Sequence, residues 1–99
     1  MLYSPRKALT IIRDRISSPD PQALALSALG WVLSDEARAN RLLALTGLTP
    51  DDLRTGLGDG QVLGAVIDFL CGHEADLIAA AQALGVEPQA LAAARGELA

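Results

Sequence analysis

Apolar residues recur at helical spacing along most of the chain, and nowhere do they alternate with period two for long enough to demand a strand. After Ser4-Pro5, the residues Leu9, Ile12 and Ile16 form a stripe at spacings of three and four, which predicts a first helix. Asp20-Pro21 opens a second, in which Leu24, Ala25, Ala28, Leu29 and Val32 share a face that Leu26, Trp31 and Leu33 widen, as expected of a central helix. Ser34 ends this helix or caps the next, where Ala39, Leu42, Leu43 and Leu45 are expected to face inward before Gly47. Thr49-Pro50-Asp51-Asp52 then starts a short helix, with Thr49 as N-cap, Pro50 at the first helical position and two acids at the positive end of the helix dipole. Further along, Val62, Leu63, Val66, Ile67, Phe69 and Leu70 predict one helix, Glu74 to Leu84 the next, and Pro88 to about Arg95 the last. Gly56, Gly58 and Gly60 between them are turn chemistry.

Residues 29–53 can be laid on residues 67–91 at a constant offset of 38 with no gap. Glu36 falls on Glu74, Ala37 on Ala75, Gly47 on Gly85, Pro50 on Pro88 and Leu53 on Leu91, while Trp31 meets Phe69 and Leu33 meets Cys71. The identities include both punctuation residues, the glycine that ends a helix at positive φ and the proline that opens the next. A true structural repeat and two similar helix-turn-helix stretches built on common capping chemistry both account for this pattern. The expected architecture is all-α: a compact bundle of about seven short helices, in which an N-terminal helix precedes two pseudo-repeated three-helix units within a single domain, 1–99.

Composition narrows the class. A chain of 99 residues that is 51% apolar and 20% charged has the material for one small core and is too hydrophobic for disorder. Its longest uncharged stretch, Pro21 to Ser34, falls short of the roughly 20 apolar residues that a spanning helix needs. Arg6 and Lys7 precede only a brief apolar run that Thr10 interrupts and Arg13, Asp14 and Arg15 follow, so neither a leader peptide nor a membrane span is expected, and the cytoplasm is the expected location. The single Cys allows no internal disulfide and no all-cysteine zinc site. Charge is divided unevenly: residues 1–17 set Arg6, Lys7, Arg13 and Arg15 against Asp14 for +3, and residues 18–99 carry −7. An acidic body of that kind disfavours nucleic acid as a partner.

Cys71-Gly72-His73-Glu74 is the one local cluster that invites an enzymatic or metal-binding reading. A structural zinc there would want four protein ligands, and the chain has no second Cys or His. The repeat register suggests instead that Cys71 replaces Leu33 as a small buried hydrophobe and that His73 replaces Asp35 at a helix start. No serine sits in a nucleophile elbow. The acid pairs Asp35-Glu36 and Asp51-Asp52 occupy adjacent positions that do not oppose one another. Gly56-Leu57-Gly58-Asp59-Gly60 lacks the lysine of a phosphate loop. Gly47-Leu48-Thr49-Pro50 imitates the joint of a DNA-binding helix-turn-helix, yet the helix after it opens with two acids. Trp31 and Phe69 are expected as paired core anchors, and Arg38 and Arg41, three residues apart, as one exposed basic face.

Leu33-Ser34-Asp35-Glu36 through Leu45-Thr46-Gly47-Leu48-Thr49-Pro50-Asp51-Asp52-Leu53-Arg54, together with Ala65-Val66-Ile67-Asp68-Phe69-Leu70 through Leu84-Gly85-Val86-Glu87-Pro88, resemble the small alphaproteobacterial family designated domain of unknown function 3572. The resemblance covers most of residues 24–95 and departs from the expected polar junction at Cys71-Gly72-His73-Glu74. It implies a compact helical protein and brings no activity, cofactor or catalytic constellation. The function expected from the chain is that of a non-catalytic protein-interaction or small regulatory protein. Arg6, Arg13, Arg38 and Arg41 are the expected partner contacts, and no catalytic, cofactor-binding or metal-binding residue is assigned. The partner expected is another protein or a second copy of the chain. The alternatives are a nucleic-acid-associated regulator working through the first helix, and an enzyme or metal-binding protein centred on Cys71, His73 and Glu74.

Overall fold

Each helix in the computed structural model, which describes residues 20–98, begins and ends on short-range chemistry. Asp20 accepts a hydrogen bond from the Ala23 amide at 3.0 Å and Pro21 stands at the first helical position, so α1 runs Pro21–Leu33. Ser34 closes it, and Asp35 caps α2 (Glu36–Thr46) by accepting from the Arg38 amide at 2.9 Å. Gly47 ends α2 at φ 77°, in the left-handed region that glycine enters without a Cβ penalty. The capping box expected at Thr49 is present, with Thr49 accepting from the Asp52 amide and Asp52 accepting from the Thr49 amide, and α3 spans Pro50–Thr55. Asp59 caps α4 (Gly60–Cys71) through the Gln61 amide. His73 precedes α5 (Glu74–Leu84), which ends on Gly85 at φ 74°, and α6 (Pro88–Ala93) runs into a 3-10 turn, Ala94–Glu97.

The described residues therefore form six α-helices and one 3-10 turn, with no strand. The expected N-terminal helix, with Arg6 and Arg13 on it, lies outside the described residues. α2 and α5 are both 11 residues long, α3 and α6 both 6, and each pair starts 38 positions apart. α1 and α4 end at the matched positions Leu33 and Cys71.

α1 and α4 pack against each other at the centre. α1 also touches α2, α5 and the 3-10 turn, while α4 touches α2, α5, α6 and that turn. Leu24, Leu29 and Val32 of α1 meet Leu63, Val66, Ile67, Phe69 and Leu70 of α4, and Leu42, Leu53, Leu91 and Leu98 close the core from the flanking elements. Each such aliphatic side chain contributes about 1.5–3 kcal/mol by leaving water. Ala25, Ala28, Ala80 and Ala81 are fully buried, and their short side chains let the helix axes approach closely.

Three local expectations are corrected. Leu45 is 61% exposed, because α2 is a flanking helix that buries only Leu42 completely. Cys71 is exposed, as the last residue of α4 where the helix leaves the core. Trp31 is half-buried, packed against the core from its margin with an arginine over its ring, whereas its counterpart Phe69 is buried.

Candidate interaction surface

The last turn of α1, the middle of α2 and the whole of α3 enclose an apolar groove of about 330 Å³. Leu29 and Leu33 reach it from successive turns of α1, Leu43 comes from α2, and Pro50 and Leu53 from α3; Leu57 follows on the loop. Leu33 is 44% exposed and Leu57 43%, so the groove is open at its rim while Leu29 and Leu53 are buried at its floor. Arg54 stands at the edge and pairs with Asp51 one helical turn away, a largely exposed ion pair of small energetic weight. A surface of this kind binds by excluding water from aliphatic side chains.

Arg38 is held within the chain. Its guanidinium lies 3.7 Å from the centroid of the Trp31 ring and donates to the Trp31 carbonyl oxygen at 2.7 Å and to Ser34 Oγ at 3.0 Å. It thereby caps the C-terminal end of α1 with a positive charge, where the helix dipole favours one. Arg41 pairs with Asp76 of α5 at 2.5 Å, joining α2 to α5, and remains partly open to solvent. Their shared exposed face is thus divided between two intramolecular tasks, while Arg6 and Arg13 lie outside the described residues.

The Cys71–Glu74 stretch joins α4 to α5. His73 Nδ1 lies 2.8 Å from the Phe69 carbonyl oxygen, and since a carbonyl only accepts, the Nδ1 hydrogen donates to it. The imidazole packs on the Phe69 ring at 4.9 Å between centroids, so His73 closes the end of α4 from a position where an N-cap side chain was expected. Burial, and next the charge of Asp68, push the Cys71 thiol above its ordinary value, which lowers its reactivity. Asp68 itself accepts from Arg95 Nε at 3.0 Å. A shallow cleft of about 370 Å³ between Leu45, Ala65, Phe69 and His73 adjoins this stretch. Among the described residues, no group of three or more His, Cys, Asp or Glu side chains is placed to hold a metal ion. No single helix among them is long and apolar enough to cross a membrane.

The groove leucines were missed as a site because they come from three helices that only the fold brings together. One signal was present in the chain: α1 bears no charged residue at all, so its outward positions had to meet either a cover or water. A family model described as "Protein of unknown function (DUF3572)" matches residues 18–99. No curated protein and no solved structure matches the chain.

Proposed function

The chain belongs to the DUF3572 family, and from the surface its fold leaves open we propose that it is a non-catalytic protein-interaction or small regulatory protein. The observation that carries this reading is the groove between α1, α2 and α3, where two large aliphatic side chains, Leu33 and Leu57, stand nearly half exposed over a leucine floor. An amphipathic helix of a protein partner is the occupant suited to it, with apolar residues at spacings of three and four seated between Leu33, Leu43 and Leu57. Arg54 and Asp51 at the edge would orient that helix more than hold it. Arg41, still partly open beside Asp76, is the remaining basic contact among the described residues.

The matched lengths and boundaries of α2 with α5 and α3 with α6 support reading the chain as one helical domain of two pseudo-repeated triplets, α1–α3 and α4–α6. A lone, unpaired cysteine fits the reducing cytoplasm as the place of action.

The test is a paired capture from native extract, with the tagged chain and its Leu33→Asp/Leu57→Asp variant, followed by photo-crosslinking from position 57. A protein retained near stoichiometry by the parent, lost by a variant of unchanged helicity, and crosslinked through position 57 is the expected result. Equal retention by both, or no protein retained by either, overturns the proposal.

A further inference from the structure

Acids crowd the leucines of the groove. Asp35 follows Leu33 by two positions, Asp51 and Asp52 directly precede Leu53, and Asp59 follows Leu57 by two; all four acids are exposed. Asp35 and Asp59 are anchored as N-caps and Asp52 by the capping box, so three of these carboxylates are fixed in place beside the groove. Arg54 is the one arginine that lines the groove, and Asp51 engages it. Arg38 is stacked on Trp31, Arg41 is drawn to Asp76 of α5, and Arg95 to Asp68 of α4. Among the described residues, Asp35, Asp52, Asp59 and the neighbouring Glu36 therefore have no ion-pair partner.

Helices of the same lengths are built in the second half of the chain without such a rim. Thirty-eight positions on, Asp35, Asp51 and Asp52 fall on His73, Gln89 and Ala90, and the exposed Leu33 and Leu57 fall on Cys71 and Arg95. α5 and α6 both start without a side-chain cap, so acids are not needed to begin them. Arg95 lies against Gly64 and reaches Asp68, which places an ion pair over α4 at the positions where α1 and its following loop present Gly30 and Leu57. Exposed leucines and unpaired acids thus occur together around one groove, and the helix framework itself demands neither.

We propose that the partner helix received by this groove is a basic one, an inference that rests on the groove reading and adds the chemistry of its occupant. The apolar stripe of that helix seats between Leu33, Leu43 and Leu57. Lysines or arginines flanking the stripe face Asp35 and Glu36 at the corner between α1 and α2, and Asp51, Asp52 and Asp59 along α3 and the loop after it. Burial of the stripe supplies the affinity, while the acids choose among amphipathic helices and hasten the encounter. A helix with acidic flanks would meet like charge on approach and be rejected. The −7 carried by residues 18–99 acts in the same direction at longer range.

The probes are two stapled synthetic helices of about four turns, with the same leucine stripe and with either lysine or glutamate at every flanking position. Each is titrated into the full chain, read by the anisotropy of a dye on the helix and by the methyl signals of Leu33, Leu43 and Leu57. The lysine helix should bind at least about tenfold more tightly than the glutamate helix at low salt, shift those three leucines, and lose most of its advantage at about 0.5 M salt. Glu36→Gln/Asp51→Asn changes two exposed acids that cap no helix and leaves Arg54 unpaired; it should weaken the lysine helix by about 3–10-fold at unchanged helicity. Leu33→Asp adds an acid, so adsorption by charge alone would tighten, whereas a helix seated in the groove should bind at least about tenfold more weakly. Equal affinity for the two probes overturns the basic preference and leaves the groove reading standing. Undiminished binding of the lysine helix to Leu33→Asp, or no binding of either probe to the parent, overturns the proposal as well. The capture experiment separately decides whether the groove has a protein partner at all.

Discussion

Gly47 and Gly85 hold φ angles of 77° and 74°, and a Cβ at either would stand in open space. A substitution there consequently meets a backbone penalty with no steric one, and Gly47→Ala or Gly85→Ala should each lower stability by about 1–2 kcal/mol in urea titrations, with unchanged helicity before the transition. Both glycines were legible in the sequence, as were Asp20 and the Thr49–Asp52 box, because caps are decided by residues within one turn of each other. Arg38 and His73 were not legible. Which ring or carbonyl a long side chain reaches depends on the angle at which two helices meet, and that angle is not a local property. Cys71 illustrates the same limit: its matched position predicted burial, whereas the helix ends there and exposes it. Its chemistry still records partial shielding and the nearby Asp68 charge, both of which disfavour the thiolate. The rate of alkylation should therefore rise with pH through an inflection above that of an unstructured cysteine peptide. Asp68→Asn, which removes the repulsive charge and leaves the burial, should move the inflection down without abolishing the difference. An inflection unmoved by Asp68→Asn would refute the electrostatic part of this account.

At the scale of elements, α2 separates what periodicity shows from what it leaves open. Its apolar positions Ala39, Leu42, Leu43 and Leu45 are compatible with a broad inward face, yet only Leu42 is sealed and Leu45 is 61% exposed. A helix at the edge of a bundle, touching α1 and α4 along one narrow line, has room to bury only a narrow stripe. Leu42→Ala should cost about 2–5 kcal/mol, as deletion of a core leucine does. Leu45→Gln should fall within about 0.5 kcal/mol of the parent, the ordinary range for a surface change. Comparable losses for the two in chemical denaturation would place Leu45 in the core and contradict the structure. The candidate groove was illegible for a related reason: Leu33, Leu43 and Leu57 are unremarkable apolar residues on three segments, and nothing in their spacing along the chain announces that they converge. The absence of charge along α1 was readable, but which of its sides the fold would cover was not.

In the whole molecule, the start of α4 is closed by Leu98, which follows the 3-10 turn. Gly60 lies so close to Leu98 that a Cβ would fall inside the contact radius of the Leu98 carbonyl oxygen, and the Leu98 side chain is itself buried in the core. The glycine is required here by the approach of another backbone, since its own helix imposes no unusual φ. Such a collision has no flexible atom to absorb it, so Gly60→Ala should destabilise the full chain by about 1–3 kcal/mol, the range of an overpacked site. Removing Leu98 and Ala99 should by itself cost about 2–5 kcal/mol, as loss of a buried leucine does. In that shortened chain the opposing carbonyl is gone, and Gly60→Ala should cost much less than in the full chain, because alanine is the better helix former once the clash is absent. The two changes share one contact and must therefore fail to add in a double-mutant cycle read by thermal or urea unfolding. Simple additivity would mean that the junction between α4 and the chain end is looser than the structure shows, and that the −7 body holds its shape by the α1–α4 pairing without this clasp.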